Sequence, residues 1–230
     1  DLTSHASQGV GSVMLITVKD DGVMSVDSAP ASAFWTGLAL SGGNNRGAAP
    51  GDGGKSTIDV SGNGSFAVQQ DLHMTFGFDE AAESTLKVRG PNATVAINGN
   101  LRMSIDDLGN INPGDSFLHG VITDSTHSTI NVGGTAFIAQ GSLVVDLDDY
   151  TPTGGESFTL LSAGSINGAA FRNVDLPTGL LDGLSWELVY DATTVKLNVL
   201  GSAGLLCDYV GATGCDIEDL NALYAGTDGA

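Results

Sequence analysis

Three charged residues of this 230-residue chain fall inside a recurring phrase: Asp59 in STIDVSG, which begins at Ser56, and Lys87 and Arg89 in STLKVRG, which begins at Ser84. If equivalent positions of the phrase lie side by side, Asp59 neighbours Lys87. A carboxylate beside two cations can receive an anionic group or move a proton. The same juxtaposition is also what an ordinary solvated ion pair looks like, and such pairs stabilise very little. A second set lies near the end of the chain, where Asp208, Asp216 and Asp219 take the first, ninth and twelfth places of a loop of the length that surrounds calcium with oxygen ligands. Val210 and Ala212 stand in the third and fifth places, so two side-chain ligands are missing and the calcium loop reads as degenerate.

Other chemistry-bearing residues give weaker signals. His5, His73, His119 and His127 show no metal-ligand spacing, although His119 and His127 are close enough in sequence to meet; surface histidines are the expectation. No nucleophile elbow, phosphate loop or zinc-protease signature occurs. A stacking platform for sugars would have to draw on Trp35, Tyr150 or Trp186, and Trp186 alternates as a core residue.

The elements that must position these residues are strands. Composition is that of strands and turns, with 33 Gly, and the phrases alternate apolar with polar residues: Ile58 and Val60, Leu86 and Val88, and, in a third copy, STINVGG from Ser128, Ile130 and Val132. Gly62, Gly90 and Gly133-Gly134 follow as corner residues. Each phrase leads to a second apolar segment and then to an aligned Leu, at Leu72, Leu101 and Leu143. This recurrence predicts an all-β fold, a right-handed parallel β-solenoid, with irregular N-terminal strands over 1–55 and rungs over 56–200. In that arrangement Asp59, Lys87 and Asn131 form one outward ladder, with Ser61, Arg89 and Gly133 beside it. The starts at 56, 84 and 128 are unevenly spaced, so Ser104 to His127 is expected to be an excursion that includes one more irregular rung. VMLITVKDDGVMSV reads as two strands about Asp21-Gly22, residues 41–55 as a Gly-rich loop, and SFTLLSAG, LSWELVY and TVKLNVL as the strands that finish and cap the solenoid.

A formal charge of −19, from 27 acidic against 8 basic residues, repels phosphate backbones and anionic bilayers, so nucleic-acid partners are not expected. No apolar run is long enough to span a membrane, and the start at Asp1 reads as a processed end or a trimmed chain. Cys207 and Cys215 are the only cysteines, and their closeness fits a local disulfide in an exported protein, with a reduced pair as the alternative.

The run from THSTINVGGTAFIAQGSLVVDL through TGGESFTLLSAGSINGAAF to LSWELVYDATTVKLNVL resembles the C-terminal portion of large secreted bacterial β-solenoid proteins, autotransporter-like passenger regions among them. The resemblance covers roughly Ser56 to Leu200 and implies an extracellular or cell-surface scaffold. Residues 201–230, with CDIEDLNALY predicting one short helix, resemble half of a dockerin module, which implies calcium as the one candidate cofactor. Pectate-lyase-like β-helices use rows of Lys and Arg flanked by Asp to neutralise a uronate and abstract a proton; that likeness implies a lyase site at Asp59, Lys87 and Arg89. The leading expectation is a non-catalytic structural or adhesive protein that forms homo-oligomers or fibres, and the alternative is a glycan-binding module or a uronate lyase.

Overall fold

The computed structural model describes residues 5–6, 12–27, 37–40, 54–75, 81–106 and 108–201. They form an all-β solenoid of about four turns. A short β1 (His5–Ala6) precedes the first turn, which comprises β2 (Val13–Val18), β3 (Val23–Val26) and β4 (Leu38–Leu40). The second comprises β5 (Lys55–Ser61), β6 (Ser65–Val68) and β7 (Leu72–Met74); the third, β8 (Glu83–Arg89), β9 (Thr94–Ile97) and β10 (Leu101–Met103). In the fourth, β11 (Asp115–Ile122) is followed by one long strand, β12 (Ile130–Phe137), whose two halves pair with β9 and β10 respectively. Then come β13 (Ser142–Leu147), β14 (Ser157–Asn167), β15 (Asn173–Asp175) and an antiparallel pair, β16 (Leu184–Tyr190) and β17 (Thr194–Gly201).

Parallel pairing stacks the turns into two sheets. One runs β15-β13-β11-β8-β5-β2; the other contains the remaining strands and ends in β14-β17-β16, where the pairing turns antiparallel and closes that end, as SFTLLSAG, TVKLNVL and LSWELVY predicted. Period-2 alternation turns one side of every strand inward, so equivalent apolar residues pile into columns. Ile16, Ile58, Leu86, Leu118 and Leu143 make one column, and Met24, Phe66, Val95, Ile130 and Leu161 face it from the second sheet. Leu72 and Leu101 stack in a third.

The predicted third copy of the phrase is in the wrong place. The strand that stacks on STLKVRG is SFLHGVI in β11: Ser116 pairs with Ser84, Leu118 with Leu86 and Gly120 with Val88. Segment 104–127 therefore supplies the regular strand of the fourth turn rather than an irregular addition. STINVGG belongs to β12 in the other sheet, where Asn131 lies beside Ala96 and Ser162, and Leu143 stacks on Leu118 rather than on Leu101. The error has a physical origin. Both kinds of strand obey the same alternation, so a phrase of the right polarity fits either face, and the β11 copy is disguised by Phe117 in place of Thr and Gly120 in place of Val.

Corners divide similarly. Gly62 and Gly90 do adopt positive φ, 60° and 79°, as corner residues must. Gly133 and Gly134 do not turn a corner; they sit at the register shift inside β12, where a Cβ on Gly133 would lie 2.4 Å from the Asn98 carbonyl oxygen. Thr75 and Ser104, which end β7 and β10, hold left-handed φ of 56° and 51°, a conformation costly for a β-branched Thr. A buried hydroxyl network fixes them: Thr75 Oγ1 donates to the Asp115 carbonyl (2.6 Å) and lies 2.7 Å from Ser84 Oγ, and Ser104 Oγ lies 2.7 Å from Ser116 Oγ. The initial Ser of the phrase thus anchors the chain reversal that feeds the strand.

Gly120 breaks the column Val18, Val60, Val88, Gly120, Val145. Its absent side chain leaves room for the His127 ring, which a Cβ would meet at 3.5 Å, an ordinary contact. Gly120→Ala should therefore fill space without displacing the ring and raise stability by about 0.5 to 1 kcal/mol through the unfolded-state entropy that glycine carries. Urea unfolding of the two proteins measures this; a loss of stability would show that the ring cannot tolerate the methyl.

Candidate functional site

The six-stranded sheet presents its outward residues in register. Asp59 pairs with Lys87 and Ser61 with Arg89, so the two predicted copies do place the Asp, the Lys and the Arg on one face. The next strand contributes His119 beside Lys87 and Val121 beside Arg89, which displaces Asn131 and Gly133 from the predicted ladder. The column reads Thr17, Asp59, Lys87, His119, Val144. His119 was hidden for the same reason as its strand; its signal was SFLHG, thirty-two residues after the second phrase.

The cations of this face differ in their commitments. Arg89 forms an ion pair with Asp148 through Nη2 and Oδ2. His119 Nε2 lies 2.7 Å from Asp146 Oδ2. Among the described residues Lys87 makes no ion pair, and Asp59 Oδ1 is shielded from water without accepting a hydrogen bond. A cleft of about 390 Å³ opens at the adjoining corner, lined by Ser61, Gly62, Arg89, Gly90, Pro91, Asn92 and Thr123. The arrangement provides an ammonium between a carboxylate and an imidazole, with a guanidinium already neutralised at the rim of a shallow polar cleft. Such a face can bind an anionic or hydroxyl-rich group. To neutralise a uronate with both cations it would have to release Arg89 from Asp148.

A second polar cluster, missed from the sequence, is more tightly built. Asp71 accepts from the Asn100 backbone N–H (2.7 Å), from Asn100 Nδ2 and from Arg102 Nε (3.1 Å), while Asn100 Oδ1 accepts from the Thr135 N–H at 2.8 Å. The Arg102 guanidinium lies 4.8 Å from the centroid of the Phe137 ring. Asp71 and Arg102 are 11% and 13% exposed at their side chains, so this pair holds the corner between turns rather than sitting in water. His73 pairs with Arg102 in register, as its position after the aligned Leu predicted, but it is fully buried and not a surface residue. The correction follows from β7, all three of whose residues are buried, so neither of its faces meets solvent.

The remaining histidines do not meet. His119 faces outward, whereas the half-buried His127 turns its ring inward, Nε2 lying 3.3 Å from the Val88 carbonyl oxygen and Nδ1 shielded without a partner. It lines a small apolar cavity bounded by Leu118, Gly120, Leu143, Leu160 and Phe171, with no carboxylate on its wall. Burial pushes the His127 imidazole below its ordinary pKa, and the Val88 carbonyl only partly opposes this. Among the described residues no three His, Asp or Glu side chains converge for a metal. Trp186 packs against the core and donates from Nε1 to the Pro177 carbonyl (2.9 Å), and the Tyr150 hydroxyl donates to Glu156 at 2.5 Å, so neither lies open as a sugar platform. Trp35, Cys207, Cys215, Asp208, Asp216, Asp219 and the expected C-terminal helix lie outside the described residues, as does the Gly-rich stretch 41–53. No helix long and apolar enough to cross a membrane occurs among the described residues.

No protein-family model matches the chain, and no curated protein is significantly similar to it.

Two substitutions read out this geometry. Asp71→Ala removes the acceptor shared by Asn100 and Arg102 and should cost about 3 kcal/mol, measured by chemical denaturation. For His127 the folded pKa is depressed, so its stabilising contribution is complete above the unfolded value of about 6.5 and is lost as pH falls towards the folded pKa. His127→Gln removes that component, and the difference in unfolding free energy should shift in favour of the variant as pH falls through this window. A parent and variant with parallel pH profiles would show that the ring is accessible to protons in the folded state.

Proposed function

We propose that this chain is a non-catalytic structural or adhesive element, exported to the cell surface or to an extracellular fibre or matrix, where it assembles with itself or with a surface glycan. The observation that carries this reading is the unequal pair of ends. The solenoid is a continuous parallel ladder closed by an antiparallel hairpin at its C-terminal side, whereas its first turn begins with β2, which among the described residues pairs on one side only, with β5. Open strand edges pair readily with other chains. Strong acidity keeps such a particle soluble and suits neutral or cationic partners rather than nucleic acid. The likeness to secreted passenger-type solenoids supports export, and the spacing of Cys207 and Cys215 fits a disulfide in that compartment. In this reading the dockerin-like tail carries a degenerate calcium loop through Asp208, Asp216 and Asp219, stapled by the two cysteines.

One observation favours a second reading. Lys87 stands without an ion pair between Asp59 and His119, one register position from the cleft beside Arg89. That face would bind a glycan, or, as a uronate lyase, hold the sugar carboxylate through Arg89 released from Asp148 while Lys87, as the neutral amine, takes the proton beside that carboxylate, the glycosidic C–O bond on the next carbon breaks and water protonates the leaving oxygen.

Electron microscopy of the purified chain, with and without a calcium chelator, paired with a polysaccharide-cleavage screen, separates the two. Ordered assemblies support the structural reading, and sensitivity to the chelator assigns calcium to a contact; a dispersed monomer retained on a polysaccharide without product supports glycan binding instead. Cleavage of an acidic polysaccharide that Lys87→Ala abolishes would overturn it in favour of the lyase.

A further inference from the structure

We infer that β2 is a self-association edge at which two copies of this chain join head to head, antiparallel, about a two-fold axis through Leu15. This deepens the structural reading above and rests on its premise that the chain assembles.

From Val13 to Val18 the strand reads VMLITV, six residues without a charge, at the end of the six-stranded sheet. Its outward residues Val13 and Leu15 are 77% and 65% exposed, and Val23 on the neighbouring β3 is 77% exposed. Beneath them Met14, Ile16, Met24 and Val26 pack against the core but are only partly buried, and among the described residues the one strand beyond this turn is the two-residue β1, which lies on β4 and not on β2 or β3. Nothing on β2 guards the edge: Lys19, Asp20 and Asp21 begin only after it. The opposite ends of the sheets are guarded. β15 is three residues long, carries Asp175 and is followed by Pro177; β16 carries Glu187 and follows Asp182 and Gly183. Short length, charge and proline are the devices that keep strand edges from pairing. Head-to-tail growth, which needs both ends open, is therefore disfavoured, and the open end is left to pair with its own kind.

Self-pairing also selects the register. With the axis at Leu15, Leu15 faces Leu15 and Val13 faces Thr17 on the outer side, while Met14 faces Ile16 on the inner side. All these pairs are apolar or a β-branched match. An axis one residue later would set Val13 opposite Lys19, an exposed charge that gives the valine no apolar partner. Antiparallel pairing about a two-fold closes at two copies, so the product is a dimer and not a fibre. Each copy carries −19 charges, so association works against repulsion that salt screens.

Sedimentation velocity of the full chain over a range of concentrations tests this. A monomer–dimer equilibrium is expected, with the dissociation constant falling roughly tenfold between low and moderate salt as screening shortens the reach of the charges. Leu15→Lys should give a monomer whose melting temperature matches that of the parent when both are compared at concentrations low enough for the parent to be monomeric, since that side chain is mostly exposed in the free chain. Val174→Lys, on the guarded edge β15, should leave the dimer intact. A dimer that survives Leu15→Lys, or one lost equally with Val174→Lys, overturns the assignment. So do linear fibres of the parent, which would leave the structural reading standing. A monomer under every condition removes the interface and confines that reading to adhesion, whereas polysaccharide cleavage by an intact dimer removes the structural reading and leaves the interface.

Discussion

Every feature of this molecule depends on one constraint: successive turns must stay in register along the axis. Backbone hydrogen bonds between parallel strands run from turn to turn, so a residue's neighbours are the equivalent residues above and below it. A slip of one residue would turn Ile58, Leu86 and Leu118 outward and bring Asp59, Lys87 and His119 into the interior together. The cost of burying those charges, set against burial of the aliphatic columns at about 25 cal/mol per Å², fixes the pairing. The charged column on the outer face is thus a by-product of the apolar column within.

Where the columns are interrupted, compensation is local. Gly120 vacates the place that Val60 and Val88 fill, and the His127 ring turns in beside it. Thr75 and Ser104 accept left-handed backbone so that β7 and β10 can stop, and their hydroxyls join Ser84 and Ser116 in a buried chain of hydrogen bonds. Asp71, Asn100 and Arg102 perform the same service at another corner, where a charge is tolerated because three donors satisfy the carboxylate. These polar clusters all lie at the reversals of the chain. There the ladder cannot satisfy the backbone, and side chains must.

The surface chemistry is correspondingly sparse. Cations on the outer sheet are mostly matched across strands, Lys55 with Glu83 at 2.7 Å and Arg89 with Asp148, which leaves Lys87 as the exception among the described residues. Exposed pairs of this kind add little to stability, but they use up charge that a polyanion-binding site would need. The functional interest moves instead to the ends of the rod. One is closed by an antiparallel hairpin and charged residues; the other presents an uncharged strand over a half-covered core.

The sequence alone determined the architecture. Period-2 alternation with glycine corners leaves few other folds, and the phrases at Ser56 and Ser84 identified true neighbours, so Asp59 beside Lys87 and Ser61 beside Arg89 were legible, as were His73 beside Arg102 and the capping strands. Which strand comes next was not. Ser128 offered a better textual match than Ser116, because alternation specifies that a residue faces inward and not which sheet it faces inward from. Only the closed three-dimensional stack decides that, since it requires each face to receive its strand once per turn, and it therefore put His119 rather than Asn131 beside Lys87. Burial of His73, the pairing of Arg89 with Asp148 and the turn of His127 towards Gly120 were likewise set by contacts between residues distant along the chain, which no local pattern encodes.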